Sequence, residues 1–375
     1  MNDMTATSKN VVAAEPAPDK PSRKTLPEHE KVKRTPFSIR LTRMLGLLGI
    51  NFLIPVVKLA TGESPRAQFK ELWMTLGVPL VAVFVFLILW SWGASQVETS
   101  LGQIPGPPQV WDEFQGLMAE HAAEREKADA FYERQIARNE QRLAIDPTYE
   151  AKTRPYTGKP TYLDQIVTSL YTVFAGFLLA TIIAVPLGIL CGLSRTINSA
   201  LSLLIQIFKP VSPLAWLPIV TMVVSTVYVT DADAWFEKSF INSAITVTLC
   251  SLWPTLINTA LGVASIDRDL MNVGRVLQLG WFNRVTKIVL PSALPLIFTG
   301  LRLSLGVGWM VLIAAEMLAQ NPGLGKFVWD EFQNGSSHSL GRIMVAVFTI
   351  GVIGFLLDRI MATLQQLFSF GQKSA

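Results

Sequence analysis

Long apolar stretches alternate with shorter polar ones along most of this chain. A transmembrane helix needs about 20 consecutive apolar residues, and six stretches meet that length. They cover residues 72–93, 166–191, 200–226, 240–263, 295–318 and 341–367. The pattern predicts an all-α polytopic membrane protein with six transmembrane helices.

Two of these stretches carry small residues at every fourth position, which in lipid lets two helix backbones approach closely. The residues are Gly176, Ala180, Ala184, Gly188 and Gly192 in the second stretch and Gly300, Ser304 and Gly308 in the fifth. Both stretches are therefore predicted to pack closely against another helix.

The third stretch is interrupted by Pro210, Pro213 and Pro218. Proline removes a backbone donor and breaks a helix, and freed backbone groups at membrane depth are tolerated only beside protein or a water-filled cavity. This stretch is therefore the strongest candidate in the chain for an element that lines a pathway.

A polar-flanked amphipathic segment, residues 267–290, separates the fourth apolar stretch from the fifth. Asp267 or Asp269 can cap a helix whose apolar residues recur at helical spacing, and Gly280 interrupts it. A second short helix is expected after the break, and Pro291 suits the first turn of the next span. This arrangement of two short helices with a break between them predicts a unit that projects from the membrane and that a partner protein can bind.

The polar segments at the start of the chain differ in composition. Residues 1–35 are rich in Lys, Pro, Glu and Ala, so they offer little apolar area to bury and are predicted to be disordered. Residues 36–71 mix cations with a short apolar run broken by Pro55. This predicts a helix along the membrane surface, with a re-entrant piece as the alternative. No signal peptide is recognised, so the first span is expected to be an uncleaved anchor.

Residues 94–164 return to a soluble composition and are predicted to lie outside the cell membrane. From 110 to 143 this segment is rich in helix-forming residues. Arg134, Arg138 and Arg142 are one turn apart there and form a basic stripe. The stripe is either a docking surface for an external binding protein or a solvated helix face, and the solvated face is favoured.

Composition and charge agree with a membrane protein. Half of the residues are hydrophobic, only 16% are charged, and the mean hydropathy is positive. The net charge of +4 lies mostly near the N-terminus, so we interpret it as a topology signal rather than a sign of nucleic-acid binding. Basic residues flank the ends of the spans that the positive-inside rule assigns to the cytoplasm. Both termini of this multi-pass protein of the cell (inner) membrane are then expected to be cytoplasmic.

The sequence argues against catalytic classes. An intramembrane hydrolase needs a nucleophile and a base in a cavity, yet His29, His121 and His338 all lie outside the predicted spans. An ATPase needs a glycine-rich phosphate loop, and the pair Gly325-Lys326 lacks both the upstream glycine and the following Ser or Thr. The two cysteines fall inside apolar runs without metal-ligand spacing. We therefore predict no catalytic residue and no metal site, and another chain as the energy source.

The segment after the fourth span resembles a motif of ABC-importer permeases. In that family the loop reads Glu-Ala-Ala, three residues, Gly, nine residues and Ile-x-Leu-Pro, and it docks into a cleft on the ATPase subunit. Counting back from the Ile-Val-Leu-Pro run at Ile288 places the first three positions at Asn272, Val273 and Gly274 and the Gly position at Gln278. The spacing is kept although residues differ. The substituted form is similar to the nitrate branch of the nitrate, bicarbonate and taurine permeases, which reads Asn-Val-Ala-Arg-Val-Leu there.

Four further blocks look like the same branch. They read KPVSPLAWLPI at 209–219, SLWPTLINTALGV at 251–263, TGLRLSLGVGW at 299–309 and AAEML at 314–318. The blocks are in order and extend over the C-terminal half of the chain. The resemblance implies a type I ABC importer permease fold, with a cytoplasmic coupling helix and a core spanning residues 165–368.

The resemblance also implies a function and partners. The expected cargo is nitrate, with nitrite or cyanate as further substrates, and bicarbonate or an organosulfonate such as taurine as the alternative. The implied partners are a second permease copy forming a homodimer, two ATPase subunits at the cytoplasmic face, an extracytoplasmic substrate-binding protein and membrane lipid, without nucleic acid. The chain itself is expected to be neither an enzyme nor a cofactor protein, because the ATPase subunits hold ATP and magnesium. An ATP-independent channel or secondary carrier is a further alternative, which leaves the projecting unit unexplained.

Two groups of site residues follow from the motif and from the charges within the spans. The ATPase-coupling group is Asp269, Asn272, Val273, Gly274, Arg275, Leu277 and Gln278. The substrate-pathway group is Lys209, Pro213, Trp216, Arg302, Trp309 and Glu316. Lys209 and Arg302 are predicted about 15 Å into a core about 30 Å thick, with few acidic residues in the spans to neutralise them. These cations either set a positive potential for anions or support broken backbone.

Overall fold

The computed structural model of the protein describes residues 54–60, 65–99, 102–146, 148–151, 153–228 and 236–369. The tail predicted to be disordered, residues 1–35, lies outside the described residues. So does much of the segment predicted to follow the membrane surface, of which α1 (Ile54–Ala60) and α2 (Pro65–Leu72) are described as helices.

The described residues are almost entirely helical. After α1 and α2 the helices are α3 (Val78–Ser95), α4 (Pro107–Ile145), α5 (Tyr162–Leu193), α6 (Arg195–Phe208), α7 (Pro213–Val227), α8 (Lys238–Ala264), α9 (Arg268–Val276), α10 (Trp281–Arg284), α11 (Leu290–Ala319), α12 (Leu324–Asn334) and α13 (Ser339–Ser369). Two π-helical turns, Trp73–Gly77 and Val285–Val289, join α2 to α3 and α10 to α11. A two-residue antiparallel pair, β1 (Glu98–Thr99) and β2 (Gly102–Gln103), follows α3.

Five of the six predicted spans fall on a helix of sufficient length, and the third falls on two shorter helices, α6 and α7. Among the described residues five helical segments are long and apolar enough to cross a membrane, and α6 with α7 makes a sixth if the bent pair is one span. The five are Gln68–Ser95, Tyr162–Leu193, Lys238–Ala264, Trp281–Ala319 and Ser339–Phe368. The all-α class predicted from the hydrophobic pattern is confirmed.

The centre of the bundle is built by α5, α8 and α11, which meet through small residues. A Cβ atom at Gly176 would lie 2.7 Å from the carbonyl oxygen of Ala244, and one at Gly300 would lie 3.0 Å from that of Pro254. Helix backbones at such distances leave no room for a side chain, so close packing of both small-residue stripes is confirmed. The paired positions show that α8 runs parallel to α5 and antiparallel to α11.

The third span is broken at Pro210 and Pro213, as predicted, whereas Pro218, which was also predicted to break it, lies inside α7. The axes of α6 and α7 are 102° apart. The Ser212 hydroxyl caps α7 by accepting from the backbone nitrogen of Leu214 at 3.3 Å, and Pro213 stands in the first turn of that helix. The bend therefore falls at residues 209–212, between two properly terminated helices.

The fifth span is longer than predicted, because it begins at Trp281 rather than at Pro295. The short helix expected after Gly280 is α10, and the π turn joins it to α11 without a break. Pro291 stands in the first turn of α11, as predicted. The interpretation of residues 267–290 as two free helices was wrong in this respect: α9 alone projects, and α10 is the end of the span.

The two ends of the bundle carry different polar elements. One end bears α4 and α12, which pack beside the first turns of α5 and α13. The opposite end bears α9 and α10. Helix α3 lies on the outside of the bundle, where the rings of Trp90 and Phe348 meet with centroids 5.0 Å apart.

Candidate coupling surface and membrane pathway

Helix α9 has a well-formed start. The Asp267 carboxylate accepts a hydrogen bond from the backbone nitrogen of Asp269 at 3.0 Å, so Asp267 is the capping residue of the two candidates. Asp269 in the first turn and Arg275 in the last turn both complement the helix dipole. Arg275 also donates to the Asn272 side-chain oxygen at 3.2 Å.

The end of α9 explains the glycine position of the permease motif. Gln278 has a φ of 49°, in the left-handed region that glycine adopts more easily than other residues. The backbone nitrogen of Leu279 donates to the Gly274 carbonyl at 3.0 Å, and that of Gln278 donates to Arg275 at 3.0 Å. These two bonds form a Schellman termination. The chain therefore keeps the turn that the motif glycine favours, with a glutamine in its place.

Gly274 is the point where α9 touches the fifth span. It is the buried residue of this helix. A Cβ atom built there would lie 2.8 Å from Cδ1 of Ile288 and 3.6 Å from Cγ of Arg284. A small residue at this position therefore sets the distance between α9 and the π turn near the start of the fifth span.

The rest of α9 and α10 presents apolar side chains to the outside. We call this set the coupling surface: Leu270, Val273, Val276, Leu277, Trp281 and Phe282. The exposed fraction ranges from 47% for Leu270 to 82% for Val276. A contiguous apolar patch on a polar-flanked unit marks a surface that another protein covers.

The break between α6 and α7 gathers hydrogen-bond donors. Lys209 stands exposed at the end of α6, and its ammonium has no partner among the described residues. The Phe208 ring lies between those of Trp216 and Trp253, with centroids at 5.8 and 6.5 Å. Neither indole nitrogen has a hydrogen-bond partner in the described part of the chain. The predicted support of broken backbone by the Lys209 ammonium is therefore not observed.

Arg302 is paired, contrary to the expectation of an unneutralised cation. Its Nε donates to Oδ1 of Asp358 on α13 at 2.5 Å, and its Nη2 donates to Oδ2 at 2.6 Å. Both side chains are 41% exposed. The sequence interpretation missed Asp358, although a lone acid inside the last apolar stretch is itself a signal of function.

Trp309 and Glu316 are enclosed inside the chain rather than open on a pathway as predicted. The Trp309 indole donates to the Ile350 carbonyl at 3.0 Å. The fully buried Glu316 carboxylate accepts from the Ser169 hydroxyl at 2.8 Å and from the backbone nitrogen of Gly325 at 2.9 Å. Glu316 therefore ties α5 and α11 to the start of α12, because a buried carboxylate needs every donor within reach.

At the other end, α4 is held by polar contacts. Arg342 on α13 contacts the carboxylates of Glu113, Glu120 and Glu331, and the Nε–Oε2 distance to Glu113 is 3.6 Å. His338 contacts Glu113 at 2.5 Å. These residues join α4, α12 and α13 beside a cavity of about 240 Å³.

The distal half of α4 behaves as a solvated helix. In the basic stripe, Arg134 donates to the Ala130 carbonyl at 2.9 Å, and the Arg142 guanidinium lies 5.4 Å from the centroid of the Tyr149 ring. Tyr156 donates to Glu124 at 2.7 Å, and this hydrogen bond lowers the pKa of Glu124. These local contacts favour the interpretation as a solvated face. Among the described residues no cluster of His, Cys, Asp and Glu is arranged to hold a metal.

Comparison with known proteins adds to this geometry. Residues 184–369 match the family described as binding-protein-dependent transport system inner membrane component. The chain is 36% identical over 205 residues to the nitrate import permease protein NrtB of Synechococcus elongatus, covering 55% of this chain and 69% of that protein. It is 39% identical over 203 residues to the bicarbonate transport system permease protein CmpB of that organism, covering 54% and 68%. A solved structure of the MetNI methionine ABC transporter matches with 13% identity and a TM-score of 0.46, covering 55% of this chain and 95% of that one.

The family match begins inside α5 and includes the broken third span, α9 and the Arg302–Asp358 pair. The match leaves out α4 and the first part of α5, including Gly176 and the Ser169 hydroxyl that holds Glu316. NrtB is 36% identical to this chain over 69% of its own length, in addition to the family match. The chain therefore belongs to the inner-membrane components of binding-protein-dependent transport systems, as a permease subunit of an ABC importer.

Proposed function

We propose that this permease subunit moves nitrate across the cell membrane as part of an ATP-driven importer. The carrying observation is the excess of donors at the break between α6 and α7. The Lys209 ammonium is exposed there, and the buried indole N–H groups of Trp216 and Trp253 lack an acceptor among the described residues. Such groups are donors only, so the ligand they suit is an anion with oxygen acceptors.

Two cargoes fit this chemistry. Nitrate is the first candidate, because residues 272–277 resemble the nitrate branch and NrtB is 36% identical. Nitrite and cyanate are small anions of the same kind. Bicarbonate is the second candidate, because CmpB is 39% identical over a similar length. Both main candidates are planar anions with three oxygens around one atom, so one pathway can pass either.

In this proposal the ATPase subunits bind the coupling surface. Val273 and Leu277 pack in their cleft, while Asp269 and Arg275 remain at its rim, because a short amphipathic helix buries its apolar stripe and solvates its edges. ATP and magnesium are then held entirely by the partner subunits. The end bearing α9 faces the cytoplasm, which places Arg195, Arg268 and both chain termini on that side, as the positive-inside rule requires.

A second copy of the chain completes the pathway in this proposal. Lys209, Arg302 and Asp358 lie within spans, yet they are exposed or half-exposed in the single chain. Charges that faced lipid at this depth would cost several kcal/mol each. A homodimer encloses them in a shared, water-filled space, to which an extracytoplasmic binding protein delivers the anion.

The test is transport by the reconstituted complex. The chain is co-expressed with ATPase and binding-protein subunits encoded beside it, placed in vesicles, and assayed for ATP-dependent uptake of isotopically labelled nitrate. We expect uptake that excess nitrite or cyanate reduces and taurine does not. Uptake of bicarbonate alone would favour the second candidate, and uptake of neither anion would overturn the proposal. Uptake that continues without ATPase subunits would instead identify a channel or carrier.

A further inference from the structure

The Arg302–Asp358 contact has the geometry of a fork. Two nitrogens of one guanidinium each donate to a different oxygen of one carboxylate, at 2.5 and 2.6 Å. This bidentate arrangement depends on the planarity of both groups, and a lysine cannot reproduce it. Any planar anion with two oxygens at carboxylate spacing can occupy the same fork.

The pair lies near the middle of the membrane span, on a partly exposed side of the bundle. Along the helical segment Trp281–Ala319, Arg302 is about 30 Å from Trp281 and roughly 25 Å from Ala319. This position is near the middle of a bilayer. Both side chains are 41% exposed. They border an open cavity of about 480 Å³ that is also lined by Thr299, Gly306 and Gln365. An ion pair open on one side at this depth faces water or protein, not hydrocarbon.

Polar groups continue along the same wall. The Gln365 side-chain nitrogen donates to the Thr299 hydroxyl at 2.9 Å and approaches the Pro295 carbonyl at 3.4 Å. Gln365 is two turns from Asp358 on α13, so both point to the same side of that helix. The side of the cavity formed by α11 and α13 therefore carries further hydrogen-bonding groups, those of Thr299 and Gln365, next to the ion pair.

We propose that Arg302 and Asp358 form an anion-exchange site, in which a planar oxyanion displaces the Asp358 carboxylate from the Arg302 guanidinium during transport. The inference rests on the proposed function and adds a site and a selectivity to it. Nitrate and bicarbonate present two oxygens in one plane, as a carboxylate does, whereas a tetrahedral sulfonate does not. Arg359, the next residue in the chain, is a second cation available to the displaced carboxylate, and its guanidinium lies 5.0 Å from the centroid of the Phe355 ring.

Competition by Asp358 also explains how the site releases its anion. A free arginine at membrane depth would hold an anion tightly, and a pathway works only if the ion can leave as well as enter. The carboxylate returns to the fork when the anion moves on, so no unpaired charge remains. Arg302 thus lowers the barrier for a passing anion without trapping it.

The test compares neutral and charged versions of the pair in reconstituted vesicles. In the double variant R302Q/D358N, a neutral amide pair replaces the ion pair. If the pair were only structural, complexes that still assemble would keep nitrate uptake, because replacing both partners leaves no unpaired charge behind. The exchange site instead predicts at least a tenfold loss of nitrate uptake by complexes that still assemble with the ATPase subunits. The control K326Q/D330N removes an ion pair on α12, 2.5 Å in length, and should retain uptake.

Two single variants sharpen the result. R302K keeps the charge but loses the fork, so we expect a tenfold loss of nitrate uptake. D358N removes the competing carboxylate, so we expect a lower half-saturation concentration together with a lower maximal rate. If the wild type transports nitrate and the double variant matches it, the exchange site is overturned while the proposed function stands. If the wild type transports no planar anion, the proposed function fails and the exchange site fails with it.

Discussion

The coupling surface and helix α4 differ in how much of their contact lies within the chain. Each belongs to a segment that projects from one end of the bundle. In α9 and α10 the apolar side chains are exposed, from Leu270 at 47% to Val276 at 82%. Helix α4 is instead held by polar contacts inside the chain, because its Glu113 and Glu120 share Arg342 with Glu331 of α12.

This difference in contacts indicates that the coupling surface binds another protein, whereas α4 is already bound to the rest of its own chain. Exposed apolar area raises the free energy of the lone chain until another protein covers it. Ion pairs to the bundle hold α4 in place, and they do so although Trp111 at 59%, Ile136 at 54% and Ile145 at 85% remain exposed on that helix. The family match includes α9 and α10 but begins after α4, so the segment with the open surface lies inside the matched region and α4 lies outside it.

The largest expected effect comes from filling the contact between α9 and the fifth span. In G274L the new side chain meets Ile288 and Arg284, so it pushes the coupling surface away from its position. We expect substrate-stimulated ATP hydrolysis by the assembled complex to fall to the unstimulated rate. G274A is the control, because its single methyl meets only the flexible end of Ile288 and alanine stands here in the motif. Full stimulation in G274L would refute the role of this contact.

A charge placed on each of the two regions tests the comparison directly. V276D puts a carboxylate on the coupling surface, where binding must desolvate it, so we expect at least about tenfold weaker ATPase binding. I136D makes the same kind of change at a 54% exposed position on α4 and should have no effect on this binding. Co-purification of ATPase subunits at graded concentrations measures both variants. Equal weakening by I136D would show that α4 is not the self-contained region described above.

Removing the shared cation should loosen α4 without affecting α9. In R342Q three carboxylates lose a partner that is 23% exposed, which we expect to cost about 2 kcal/mol of local stability. Amide hydrogen exchange should become faster over Pro107–Ile145 and stay unchanged over Arg268–Val276. K127Q, which removes a more exposed contact to Glu124 at 3.3 Å, is the control and should leave exchange unaltered.

The smallest expected effect is at the end of α9. Gln278 adopts a left-handed conformation that costs a non-glycine residue roughly 1–2 kcal/mol. A glycine there avoids this cost, but it also makes the unfolded chain more flexible, which offsets part of the gain. Q278G should therefore stabilise the helix end by about 0.5–1 kcal/mol, measured as slower amide exchange at Leu277 and Leu279. Faster exchange would mean that the glutamine side chain holds the turn.

Much of the fold was predictable because hydrophobic length and proline position act locally. The span over residues 240–263 and the break at Pro210 and Pro213 depend on a few consecutive residues, and the structure has both. The start of the fifth span was predicted too late. A π turn over Val285–Val289 carries the helix through Pro291, and nothing local in that stretch predicts the extra residue per turn.

For the candidate sites, features that depend on neighbouring residues were predicted better than contacts between distant helices. The sequence predicted a short helix that contains Gly274 and a break at Gly280, and the structure ends that helix at Val276 with the left-handed turn at Gln278. The charge of Arg302 was recognised, but its partner was not, since Asp358 lies 56 residues away on another helix. Glu316 was placed on the pathway because a carboxylate in a span suggests function, whereas its donors come from α5 and α12.

The sequence by itself determined the class of protein, the number of apolar stretches, the break in the third and the projecting unit after the fourth. Each of these depends on neighbouring residues and on the cost of placing polar groups in lipid. Only the tertiary structure decided which side chains face inward, which acid pairs with Arg302, and which apolar face stays open. These features depend on contacts between distant helices, whose rotation about their own axes no short segment of sequence fixes.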